Sequence, residues 1–238
     1  MFYRAQGLNY VSSIGYAVSE DGINFNRLRH PVLSPKGAEE TRGVEDPRVT
    51  TLAEEGRFIM AYTAYSDQGV TPMFAESTNL ITWTRIGPMV QGEDNKDHVL
   101  FPKKIHGTYF AFHRRPPSMG YALSEDLCQW ELKGPILEPR LKSWDGKRVG
   151  AGGVPIETDQ GWLVIYHAYD RDHVYRLSAC LLDLEEPWRV VQRAKDFFLE
   201  PQEIWEQKGD VPNVVFSCAN PVVDETIYLY YAGADRMI

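Results

Sequence analysis

Glu45-Asp46-Pro47-Arg48, within the run Gly43 to Arg48, sets two carboxylates beside a proline and an arginine. Side chains alternate between faces along a strand, so Glu45 and Asp46 can share a cavity only where the backbone bends. Pro47 biases Asp46 toward an extended backbone. Taken alone, the same residues also read as a charged turn. A second polar run, Asp94-Asn95-Lys96-Asp97-His98, leads straight into the apolar Val99-Leu100-Phe101-Pro102 and taken alone reads as a hairpin tip. Cations then recur at strand ends: His113-Arg114-Arg115, Lys147-Arg148 within the glycine-rich loop Trp144 to Gly153, and His167 after Leu163-Val164-Ile165-Tyr166. Small residues in that loop let the backbone approach a ligand closely. Its spacing is not that of a nucleotide-binding phosphate loop, and no helix follows. A lone histidine at a strand end is also a common structural feature.

Together these groups suit one chemistry. A carboxylic acid can donate a proton to a leaving oxygen while arginine, lysine and histidine hold an attacking anion. Cleavage of a glycosidic bond by phosphate needs that combination. No metal-ligand spacing is present, and no cofactor is implied.

These residues must be carried by strands, because helical periodicity is nearly absent. Arg57 to Ala64, Thr108 to His113, Trp162 to Tyr169 and Thr226 to Ala232 are rich in aromatic and β-branched residues. Turn signals such as Glu20-Asp21-Gly22 and Ile105-His106-Gly107 separate such runs. A weak repeat links them. Ala17-x-Ser19-x-Asp21 precedes Phe25, Ala75-x-Ser77 precedes Trp83, and Ala122-x-Ser124-x-Asp126 precedes Trp130. A more degenerate copy runs from Ala179 to Asp183 and Trp188. Intervals of roughly 50 residues are those of propeller blades, each aromatic being placed to pack between blades. A β-sandwich with coincidental spacing is the alternative. No linker or charge block divides the chain, so residues 1–238 are expected to form a single catalytic domain.

With 238 residues and 43% hydrophobic content, a substantial core can form. The net charge of -8 argues against nucleic acid or an anionic membrane as partner, yet permits a local arginine cluster to bind a small anion. Cys128, Cys180 and Cys218 are too few and too scattered for a disulfide framework or zinc site, and are expected as buried thiols in strands. No apolar run spans a membrane and no signal peptide is visible, which points to the cytoplasm. The opening Met1-Phe2-Tyr3-Arg4 already reads like the inside of a strand.

Over almost its whole length the sequence resembles glycoside hydrolase family 130, the mannoside phosphorylases and related β-mannosidases. The marks are Tyr3-Arg4-Ala5, Ser13 to Phe25, Gly43 to Val49, Asn95-Lys96-Asp97 before Val99-Leu100-Phe101-Pro102, and His113-Arg114. They continue with Gly150-Ala151-Gly152, Gly161 to His167, Leu181 to Glu185, Val211 to Phe216, and Tyr230-Tyr231 through Asp235. The resemblance implies an all-β, five-bladed β-propeller whose first or last blade is incomplete here, since family members carry more chain on both sides.

It also implies roles. Asp46 matches the catalytic acid, whose proton reaches the leaving oxygen through the 3-hydroxyl of the mannosyl unit. Arg4, Asp97 and Asp235 match the mannosyl subsite, with Lys96 close by. Arg114, Arg148, His167 and Tyr175 match the phosphate site. Lysine is usual where Arg148 stands, and arginine keeps the charge while adding a bidentate fork. The implied activity is inverting phosphorolysis of β-1,4- or β-1,2-mannooligosaccharides, or of a mannosyl-glucose substrate, to α-mannose 1-phosphate. Mannosyl passes to phosphate, which is a co-substrate. A β-mannosidase of the same family is the first alternative. It would need a carboxylate base for water and would have no use for the cation set. A non-catalytic sugar-binding propeller or inactive fragment is the second. Self-association into a homo-oligomer is left open.

Overall fold

The computed structural model describes all 238 residues. It is nearly all β. The first seven strands are β1 (Phe2–Gln6), β2 (Ser12–Val18), β3 (Asn26–Arg27), β4 (Gly43–Leu52), β5 (Arg57–Ser66), β6 (Gly69–Ser77) and β7 (Thr84–Pro88). They share one sheet, in which a parallel contact of Ser12 with Gly43 joins the β1–β3 meander to the β4–β7 meander. A second sheet holds β8 (Lys96–Leu100), β9 (Tyr109–Arg115), β10 (Ser118–Ser124) and β11 (Glu131–Leu137). A third holds β12 (Arg148–Ala151), β13 (Ile156–Thr158), β14 (Gly161–Tyr169), β15 (Tyr175–Leu182) and β16 (Val190–Arg193). The last strands are β17 (Val215–Ala219), β18 (Val222–Val223), β19 (Thr226–Ile227) and β20 (Tyr230–Gly233), paired β17 with β20 and β18 with β19. The one α-helix is a single turn, Ile204–Gln207. No helix is long and apolar enough to cross a membrane.

Each core cluster lies between consecutive meanders. Ile14 and Leu33 meet Val44, Met60 and Tyr62. Ile59 and Phe74 meet Leu100, Tyr109 and Ala111. Phe101, Phe110 and Phe112 meet Val149, Trp162 and Tyr166. Apolar surface is thus removed from water between neighbouring sheets, which fixes their order in space.

The repeat seen in the sequence is a physical unit. Asp21 Oδ1 accepts the amides of Ile23 and Asn24, Asn79 Oδ1 those of Ile81 and Thr82, and Asp126 Oδ1 those of Cys128 and Gln129. Asp183 Oδ1 does the same for Glu185 and Glu186. These Asx turns reverse the chain after β2, β6, β10 and β15. The aromatic that follows packs on the preceding meander: Trp83 on Phe2, Trp130 on Phe74, and Trp188 on Tyr121. Phe25 packs in the same way on Tyr230, at the other end of the chain. Tyr230 also donates from its hydroxyl to Gly22 O at 2.7 Å.

Three expectations change. Thr226 to Ala232 is not one strand: it breaks into β19 and β20, which pair with different partners. Cys128 is exposed in a turn, while Cys180 and Cys218 are the thiols carried by strands. Asp46 is not extended: its φ is +52°, because the β4–β5 ladder slips between Glu45 and Arg48 and forms a bulge. Aspartate tolerates this left-handed backbone better than most residues.

Candidate active site

That bulge is the bend two adjacent acids require. Glu45 and Asp46 both reach the same group of charges, with Arg4 from β1 and Asp235 from the turn after β20. Arg4 Nη2 lies 3.0 Å from Asp235 Oδ1 and donates to Asp235 O at 2.9 Å, while its Nη1 lies 3.7 Å from Glu45 Oε1. Lys96 Nζ approaches Asp46 Oδ2 at 3.9 Å. Burial, then the Asp46 charge, raises the Glu45 pKa. Burial also raises that of Asp235, with Arg4 opposing. Two cations therefore face three carboxylates. Arg4, Asp46 and Asp235 line a cleft of about 940 Å³, with Phe216, Cys218 and Tyr231 on its walls.

The same backbone device recurs one sheet later. The β8–β9 ladder slips between Lys96 and Val99, and Asp97 takes φ +54°. The polar run is thus no hairpin tip: Lys96 to Leu100 is a strand, with Asn95, Asp97 and His98 fully buried. The bulge turns Lys96 toward the acids and Asp97 toward the cations. Arg114 Nη1 makes a tight ion pair with Asp97, and His167 Nε2 lies 3.1 Å from Asp97 Oδ2, out of line for a good hydrogen bond. Burial alone would raise the Asp97 pKa, but Arg114 and His167 outweigh it and hold the carboxyl well below its usual range. Burial lowers the His167 pKa, against the pull of Asp97 and with help from Arg114 and Arg48. His167 is therefore a neutral imidazole near pH 7, not the imidazolium that a purely electrostatic anion site would use.

Tyr175 and Arg148 complete the group. The Tyr175 ring stacks on His167 at 6.2 Å and packs tilted against Tyr169 at 4.6 Å, and Arg148 lies over Tyr169 at 5.6 Å. Burial raises the Tyr175 pKa to about 12, so its hydroxyl stays a donor. Arg114, Arg148, His167 and Tyr175, drawn from β9, β12, β14 and β15, are thus brought together. Arg114 Nε is a buried donor with no acceptor in the protein. This group does not line the 940 Å³ cleft. Phe216 stands between, lining the cleft and packing its ring 4.7 Å from that of His167. Phe216 as this divider was missed in the sequence, where nothing local marks a buried aromatic. Arg48 was read there only as a neighbour of the two acids; its guanidinium is buried behind Asp46 and Asp97.

Gly150 makes the crowding tolerable. A Cβ there would lie 2.5 Å from Asp97 Oδ2 and 2.6 Å from His167 Nε2. Gly150→Ala is expected to cost about 1–3 kcal/mol by overpacking. The check is a melting temperature several degrees below wild type; an unchanged value would show that the cluster relaxes.

The sequence model of the family described as beta-1,4-mannooligosaccharide phosphorylase, Glyco_hydro_130, matches residues 1–238. The chain is 50% identical over 232 residues to a 1,2-beta-oligomannan phosphorylase of Thermoanaerobacter sp., covering 96% of this chain and 77% of that protein. It is 41% identical to a beta-1,4-mannooligosaccharide phosphorylase of Ruminococcus albus, covering 92% and 70%. The structure of beta-1,2-mannobiose phosphorylase from Listeria innocua, in complex with beta-1,2-mannobiose, superposes with a TM-score of 0.89 at 34% identity. The match covers 94% of this chain and 65% of that one, so this chain spans about two thirds of the Listeria enzyme. With the family's sequence pattern matched throughout and its fold reproduced, the chain belongs to glycoside hydrolase family 130.

Proposed function

We propose that the protein cleaves β-linked mannooligosaccharides by inverting phosphorolysis, releasing α-mannose 1-phosphate. The observation that carries this reading is the pairing of two sites on successive bulged strands. One is an acid cluster at an open cleft lined by Asp46, Asp235 and Arg4, with Glu45 and Lys96 paired to these charges. The other is a cation set with an unpartnered Arg114 Nε, beside it. In this reading residues 1–238 act as a single catalytic domain. The five meanders β1–β3, β4–β7, β8–β11, β12–β16 and β17–β20 are propeller blades. The aromatic of each Asx unit, docked on the preceding meander, supports that arrangement, as does the contact of Phe25 with Tyr230 across the two ends.

Asp46 is the acid. Its proton passes through the 3-hydroxyl of the mannosyl unit to the leaving oxygen. Arg4, Asp235 and Lys96 hold that unit. Phosphate, bound by Arg114, Arg148, Tyr175 and the neutral His167, attacks the anomeric carbon in line from the opposite face. The new C–O bond to phosphate forms as the glycosidic C–O bond breaks, so configuration inverts. Asp97, expected from the sequence at the mannosyl subsite, is fully buried and paired with Arg114 and His167, so in this reading it acts by orienting them. Water needs a carboxylate base to attack, whereas phosphate does not. Glu45 and Asp235, the carboxylates nearest Asp46, are both engaged by Arg4. The greater identity to the oligomannan enzyme favours the β-1,2 linkage.

The test is incubation with β-1,2- and β-1,4-mannobiose and -triose, with and without inorganic phosphate. Release of α-mannose 1-phosphate only with phosphate is expected, faster on the β-1,2 series. Free mannose formed equally well without phosphate would make the protein a hydrolase.

A further inference from the structure

Arg48 follows the Asp46 bulge on β4 and its side chain is fully buried. Its guanidinium bridges β4, β8 and the end of β12. Nε donates to Gly152 O at 2.7 Å and Nη2 to Ala151 O at 3.1 Å, both just beyond or at the end of β12. Nη1 donates to the backbone carbonyl of Asp46 at 3.1 Å. Nη2 also stands 3.7 Å from Asp97 Oδ1, and the Phe216 ring lies 5.6 Å from Cζ. One side chain therefore touches both bulged acids and the strand that carries Arg148.

Each contact meets a need. The β4–β5 ladder passes over Asp46 and Pro47, so the Asp46 carbonyl has no cross-strand donor. A left-handed non-glycine residue is strained and persists only where its surroundings hold it. Arg48 Nη1 is the donor that satisfies this carbonyl. The carbonyls of Ala151, the last β12 residue paired with β14, and of Gly152 just past it both take donors from the same fork. Charge supplies the second need. Asp97 and Arg114 as an isolated pair sum to zero and would offer little to an anion. Arg48 behind Asp97 makes the trio net positive.

We propose that Arg48 is a positioning residue for the reaction: its fork fixes the Asp46 bulge, and its charge offsets Asp97 so that Arg114 can serve phosphate. The proposal rests on the phosphorolysis reading above. The two roles separate by substitution. Lysine keeps the charge but cannot reach three carbonyls. Glutamine keeps a donor but loses the charge.

Arg48→Lys is expected to lower kcat on the order of 10–100-fold, with KM for phosphate changed less than about threefold, since a small misplacement of a reacting group costs that much. Arg48→Gln is expected to lower kcat similarly and also to raise KM for phosphate by about tenfold or more. KM for the mannoside should hold within a few-fold in both. Rates are taken per folded molecule, with folding followed by circular dichroism and thermal unfolding. Losses that track only the folded fraction, equal phosphate KM in the two variants, or failure of both to fold would each assign Arg48 to stability alone and overturn the proposal. A wild type that forms no mannose 1-phosphate would instead sink the phosphorolysis reading, before any variant is compared.

Discussion

Asp46→Asn is expected to lower kcat on the order of 1,000-fold or more, with KM for mannoside and for phosphate within a few-fold of wild type. Asparagine matches aspartate in volume and shares its tolerance of a left-handed backbone, so the bulge at φ +52° should persist. The Arg48 donation to the residue 46 carbonyl is a main-chain contact and also survives. What is lost is the ionisable proton. The amide can hydrogen-bond a sugar hydroxyl but cannot pass a proton to it and be reprotonated from hydrogen phosphate or water for the next turnover. Lys96, 3.9 Å from Asp46 in the wild type, would lose only a weak, partly exposed ion pair. Steady-state assay of mannose 1-phosphate release, with the melting temperature as control, checks this. Turnover near the wild-type value would remove Asp46 from the proton-transfer step.

Much of the frame was legible in the sequence, for local reasons. The Ser-x-Asp turns are set by hydrogen bonds across two or three residues, so spacing alone finds them. Strands such as β5, β9 and β14 announce themselves by aromatic and β-branched content. The bulges were half legible. Two adjacent acids said that a shared cavity needs a bend, but the Pro47 bias pointed to an extended Asp46. The ladder to β5 overrode it. Longer-range facts were not legible. Arg48 meets its acceptors Ala151 and Gly152 more than a hundred residues away, at separations of 103 and 104. The burial of Asp97 follows from packing β8 against the first and third sheets, which alternation within Lys96 to Leu100 does not encode. The neutral His167 follows from that burial as well, since a strand-end histidine in water would titrate near its ordinary value.

Removing Arg114 should strike phosphate far more than sugar. Arg114 is anchored by Asp97 at the back, and its Nε has no acceptor in the protein. Its planar fork suits a tetrahedral anion in a way a single ammonium does not. Arg114→Lys is expected to raise KM for phosphate by about 10–100-fold with mannoside KM within a few-fold, and Arg114→Ala by more. The alanine variant also leaves the Asp97 charge buried with only Arg48, Lys96 and His167 around it. Breaking a buried pair costs about 3–5 kcal/mol, so a marked fall in melting temperature accompanies it. A pH signature follows. Burial first, and then Arg114 and Arg48, depress the His167 pKa, while Asp97 raises it and the Tyr175 and Phe216 rings flank it. Deleting the Arg114 cation therefore raises the His167 pKa. As pH falls, His167 should gain its proton in Arg114→Ala before it does in the wild type and return a positive charge to the site. The phosphate KM defect of Arg114→Ala should accordingly shrink toward acidic pH, relative to wild type at the same pH. Phosphate saturation curves between pH 5 and 8 measure it, that range being where a histidine shifted from its ordinary pKa changes charge. A defect independent of pH would mean that His167 does not face the anion. An unchanged phosphate requirement in Arg114→Ala would mean that the cation set binds something else.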